Sequence, residues 1–229
     1  MTNPVVPIRE ESVYRPAELP SASGQIAAPA ILGMYAFAMT TWVVAASMAG
    51  WFGTLQKDIL LVPFAAMFGG LAQFLAGMWA FKSRDALASA FHSLWGAFYL
   101  GFGLVGLMAA TRVLPLNQLN SAPISFGWWL VVLAITTWAM TGPAFKEGRI
   151  MGWFMALVSI GTTLSFIGDF VSGRYWTGVA GYFFLASAIV AWVIGTRLLG
   201  RSPSVLGSRR MGTVTSSETT VVGAQEVVR

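Results

Sequence analysis

Residues 59–81 read ILLVPFAAMFGGLAQFLAGMWAF. A helix needs about 20 consecutive apolar residues to cross the hydrocarbon core of a bilayer, and this run reaches that length without a charge. Near its middle lies an amide, Gln73, with Gly69 and Gly77 four residues to either side. Residues spaced by four fall on one line of a helix. An amide facing lipid would lack partners, which costs several kcal/mol, so the line is expected to face protein or water. Two readings stay open. The glycines let a second helix approach closely, making the line a packing seam with Gln73 as a cross-helix hydrogen bond. Alternatively, Gln73 faces a polar conduit and offers a donor and an acceptor to a small solute.

Composition places the whole chain with that run. Of 229 residues, 56% are hydrophobic and 10% charged, where soluble domains carry about a quarter charged residues. Ten Trp and sixteen Phe strengthen the membrane assignment. The net charge of +5 is not clustered with exposed aromatics, so nucleic acid is not an expected partner. Cysteine is absent, which excludes disulfides, thiolate metal sites and thiol nucleophiles. No GxxxxGK[ST] phosphate loop and no HExxH occur, and one histidine cannot build a multi-His metal site. No lysine lies mid-span, which argues against a retinal Schiff base. The expectation is therefore no enzyme, no cofactor and no metal.

Apolar runs at roughly 30–53, 59–81, 86–111, 123–145, 150–171 and 177–199 predict an all-α bundle of six transmembrane helices. The connection 112–122 carries Pro115, Asn117 and Asn120, which are loop residues. Residues 1–25 hold Arg9, Arg15, three glutamates and four prolines; they read as a disordered tail and not as a secretion signal. Residues 200–229 read as a second disordered tail. Six spans put both tails on one side. That side carries eleven Lys and Arg against three, Lys57, Arg112 and Arg174, on the other. The positive-inside rule then predicts a cell (inner or plasma) membrane protein with both termini cytoplasmic.

Polar residues inside the spans are few. Thr40 and Thr41 lie in the first, Thr136 and Thr137 in the fourth, Thr162 and Thr163 in the fifth. Threonines commonly bond back to their own helix, so each pair alone is unremarkable. The repeated TTW at 40–42 and 136–138 hints at an internal repeat. His92 reads as a satisfied histidine near the inner interface. Asp169, near the outer end of the fifth span, is a functional candidate because an intramembrane carboxylate is expensive; Arg174, five residues on, is placed to neutralise it.

The motifs resemble one family. AAPAILGMYAFAMTTW (27–42) resembles the signature that opens the acetate uptake transporter, or succinate–acetate permease (YaaH-like), family. FGGLAQFLAGMWAFK (68–82) is similar to its second-helix pattern, WGAFY (95–99) to its Tyr-Gly-x-Phe-Trp, and AGYFFLASAIVAW (180–192) to its last helix. The similarity covers about 30 to 199. Three departures stand out: Ala28-Pro29-Ala30-Ile31 replaces Asn-Pro-Ala-Pro, Trp95 replaces a tyrosine, and Asp169 replaces an asparagine.

The resemblance implies a six-helix protomer in a homo-hexamer, with a conduit through each protomer. It implies acetate and related small monocarboxylates as substrate, moved with protons or by channel-like passage; some fungal members are linked to ammonium export. It places a pore constriction at Phe37, Trp95 and Val158. Those residues lie seven, nine and eight residues from the starts of outward-running spans, and Gln73 lies eight from the end of an inward-running one. At about 1.5 Å per residue all four share a depth of roughly 10–14 Å. The expected substrate path adds Gln73, Thr40 and Thr41, with Gln73, the Trp95 indole and threonine hydroxyls as donors to a carboxyl group. Asp169 is the proton-coupling candidate. The competing readings are a channel for a neutral solute such as ammonia or urea, and a non-transporting sensor or scaffold docking through Arg209–Arg210.

Overall fold

The computed structural model of the protein describes residues 27–52, 61–113, 123–171 and 173–202. Both expected tails, Lys57, the Pro115–Asn120 connection and the Arg209–Arg210 pair lie outside the described residues. Six helices run through the rest: α1 Pro29–Met48, α2 Leu61–Lys82, α3 Ala86–Ala110, α4 Pro123–Glu147, α5 Arg149–Phe170 and α6 Arg174–Gly200. All six are long and apolar enough to cross a membrane, so the chain is an all-α, multi-pass membrane protein.

Local chemistry sets the helix ends. Pro29 opens α1, where its missing N–H is no loss. Gly50, at φ +79°, closes α1: its N–H reaches the Ser47 carbonyl and the Trp51 N–H reaches Ala46, the paired bonds of a Schellman end. Three residues, Ser83 to Asp85, turn α2 into α3. The Ser83 hydroxyl donates to the Ala80 carbonyl, and Asp85 Oδ1 accepts the Ala88 N–H at 2.9 Å as the N-cap of α3. Gly148 alone separates α4 from α5.

Successive helices are neighbours in space. α2 packs on α1 and α3, α5 packs on α4 and α6, and α6 returns to α1, which closes a ring. The α3–α4 joint is the thinnest in the ring. Close approach is achieved with glycine: a Cβ on Gly96 of α3 would sit 2.6 Å from the Phe74 amide nitrogen of α2, and one on Gly181 of α6 would sit 2.8 Å from the Ala45 carbonyl of α1. Large apolar side chains such as Phe64, Leu104, Trp129 and Ile135 point outward, the arrangement a lipid-facing surface requires. Pro29, Lys82, Ala86, Glu147, Arg149 and Gly200 define one end of the bundle, termed the terminal face below.

Candidate functional site

Inside the ring, aromatic side chains from three helices meet. Phe37 of α1 lies 5.3 Å from Phe91 of α3 and 5.3 Å from Phe154 of α5, centroid to centroid, and Phe91 lies 5.3 Å from Phe154. Trp95, one turn above Phe91, meets Phe37 edge-on at 5.9 Å and reaches Phe184 of α6 at 6.2 Å. Such tilted and edge-on pairs are the favoured geometries of aromatic contact. Val158 is fully buried in the same cluster. Phe37, Trp95, Val158 and Gln73 each lie eight or nine residues from the terminal ends of their helices, a common depth of about 12–14 Å. Phe91 and Phe154 form a second layer, five residues in. Sequence reasoning missed this lower layer, although both residues stand four positions before an expected one, on the same helix line.

Gln73 is 0% exposed, and neither its Oε1 nor its Nε2 has a protein partner. The glycines beside it form close seams: Gly69 faces the Thr40 side chain of α1, and Gly77 faces Ser93 of α3. The stripe is thus a packing line, but the cross-helix hydrogen bond of the seam reading is absent. Thr40 is buried with its hydroxyl unpartnered, and Thr41 is buried beside Tyr99. Among the other threonines, Thr136, Thr137, Thr162 and Thr163 all donate to the carbonyl four residues back, the unremarkable role the sequence suggested.

Three expectations need correction. First, α2 is not a uniform α-helix. Residues Ala66–Ala72 form a π segment, which ends where the Gln73 N–H donates to the Phe68 carbonyl five residues back. Short π segments in α-helices recur at functional sites; here the Gly69–Gly70 pair was the available signal. Second, the Trp95 indole is not a free donor. Its Nε1–H donates to Thr137 Oγ1 of α4 at 3.2 Å. Third, His92 is not satisfied. It is 0% exposed, with both ring nitrogens unpartnered.

Asp169 stands apart. It is half-buried against Gly127 of α4, eleven residues beyond Val158, and makes no ion pair with Arg174; its Oδ2 is unpartnered. A cavity of about 120 Å³ opens near the terminal face. Asp85 and Glu147 lie on its wall towards the surface, and Phe91, His92 and Phe154 on its wall towards the bundle centre. Gln73 does not line it; the aromatic layers close it off. Among the described residues no three His, Cys, Asp or Glu side chains gather as a metal site would require.

Comparison with known proteins follows the same lines. Accumulation of dyads protein 2 of Saccharomyces cerevisiae is 28% identical over 182 residues, covering 77% of this chain and 62% of its own length. The chain therefore spans a little under two thirds of that relative. The succinate-acetate/proton symporter SatP of Escherichia coli K12 is 25% identical over 170 residues, 72% of this chain and 86% of its own. The solved structure of the bacterial acetate channel SatP superposes with a TM-score of 0.69 at 22% identity, covering 76% of this chain and 93% of that one, and establishes the fold. The sequence model of the GPR1/FUN34/yaaH family matches residues 12–205, and the chain belongs to that family.

Proposed function

We propose that this chain passes acetate and related small monocarboxylates across a membrane, with a proton accompanying each. The observation that carries the reading is Gln73: a buried amide with an unused donor and acceptor, at the depth of the Phe37–Trp95 ring pair. Leaving both atoms unpaired costs about 1–3 kcal/mol, a cost that makes sense where a passing solute completes the bonds. A carboxyl group needs both a donor and an acceptor, and a primary amide offers both. Phe37, Trp95 and Val158 act as the constriction, where the solute sheds water. Thr40 and Thr41 continue the path beside Gln73. Asp169 is the proton-handling candidate towards the opposite face.

The same proposal places the protein as a homo-hexamer in the cell membrane with its termini in the cytoplasm. The charges support this: Lys82, Arg84, Lys146, Arg149, Arg197 and Arg201 lie at the terminal face against Arg112 and Arg174 at the other. Counterflow of labelled acetate into proteoliposomes tests the function. We expect acetate exchange well above empty vesicles; passage of ammonia or urea alone would overturn the assignment.

A further inference from the structure

The cavity at the terminal face has a chemistry that its lining spells out. Its surface end is acidic. Glu147, the last residue of α4, is exposed, and Asp85, at the α2–α3 turn, is half-buried. The two carboxylates repel one another, and neither makes an ion pair. Asp85 spends one oxygen on the Ala88 N–H. Among the described residues no Lys or Arg side chain lines the cavity, although six lie at this face. The inner end is aromatic, with Phe91 and Phe154, and among the described residues the one polar side chain there is His92.

His92 is held deliberately close to α1. A Cβ at Gly33 would lie 2.5 Å from its Nε2 and Cε1, so the ring rests where only a glycine leaves room. The other helices at this cavity present apolar groups: Met34 from α1, Met151 from α5 and Leu198 from α6. Among the described residues, Asp85 and Glu147 are thus the only charged groups in the chamber that His92 lines. A buried imidazole in such surroundings is neutral, with one nitrogen donating and the other accepting.

We propose that this cavity is a selectivity chamber in which His92 receives the protonated, uncharged form of a short-chain carboxylic acid while Asp85 and Glu147 turn away the free anion. The proposal rests on the carboxylate reading above and adds the chemical form that is admitted. A neutral acid and a neutral imidazole are complementary: the acid O–H donates to one ring nitrogen or its carbonyl accepts from the other. A carboxylate anion meets two like charges at the entrance in a cleft with low-dielectric walls, where repulsion is strongest. The volume is about ten times the roughly 10–15 Å³ that one water requires, which is room for a short-chain acid with water beside it.

The test uses the full chain in proteoliposomes, reading labelled-acetate counterflow above empty vesicles, with and without an imposed membrane potential. Wild-type counterflow should be unchanged by the potential. Asp85→Asn combined with Glu147→Gln should admit the anion, making flux respond to the potential by at least threefold; Asn retains the helix cap. His92→Gln, which keeps a donor and an acceptor, should retain at least a third of wild-type counterflow, whereas His92→Leu should lose at least tenfold. Gel filtration and melting temperature establish that each variant is folded. His92→Leu carrying acetate at the wild-type rate, or a potential driving acetate through the wild type as strongly as through the double variant, would overturn this inference alone. Should His92→Leu not fold, the His92→Gln and potential arms still decide. A wild type that carries no acetate would instead remove the functional reading, and this one with it.

Discussion

Gln73 separates two quantities that usually fall together, stability and activity. Its amide is buried with nothing to bond, so an apolar side chain of similar size removes a penalty of about 1–3 kcal/mol. Gln73→Leu is expected to raise the melting temperature in detergent while cutting acetate flux at least tenfold; a variant that melts lower and still conducts would return the residue to a packing role. Thr137 makes the opposite case. It holds the Trp95 N–H, and Thr137→Val leaves a buried indole donor unpaired, with an expected loss of about 1–2 kcal/mol in a thermal melt. The sequence led to Phe37, Trp95, Val158 and Gln73 through motif and depth. Phe91 and Phe154 were readable one helical turn lower, and the motif alone drew attention away from them. The state of His92 was not readable, because it depends on Gly33 and on the acidic turn, which lie close only after folding.

At the scale of the helix, the π segment of α2 is the feature no hydrophobic pattern announces. Seven residues wound at a wider turn look as apolar as seven in an α-helix, and only the two glycines differ. A π turn spends an extra residue, so deleting the outward-facing Leu71 should restore regular winding. The turns before and after it then keep their faces, and what is lost is the wide turn that leads into Gln73. We expect the variant to insert and retain its helical circular dichroism but lose acetate flux. Glycine seams give a second contrast. Gly96→Ala forces a methyl onto the Phe74 backbone, with an expected cost of about 1–3 kcal/mol in the melt. Gly101→Ala meets nothing within 4 Å and should be neutral or stabilising by up to about 1 kcal/mol. The six spans themselves were legible because length and apolarity decide them; the order of helices around the ring was not, since every helix is apolar on all sides.

For the whole molecule, the broad outward apolar surface leaves room for lipid and for further protomers. A hexamer predicts a mass six times the 24.6 kDa protomer in mild detergent by light scattering; a monomeric mass at the same flux would confine the conduit to one chain without need of a ring. The closed circle of helices also has a consequence of its own. Glycine lets neighbouring helices close up at the other joints, whereas α3 and α4 touch sparingly, through the Trp95–Thr137 bond and the Phe98–Phe126 ring pair at 5.9 Å. A barrel bound by five tight staves and one loose one breathes at the loose one. Since the native chain has no cysteine, a thiol pair placed at Phe98 and Phe126 can be stitched with a short bifunctional reagent and later cut. Stitching should arrest flux and cutting should restore it. In a protein built this way, the same tryptophan that packs against Phe37 at the centre also fastens the latch through Thr137, so loosening one loosens the other.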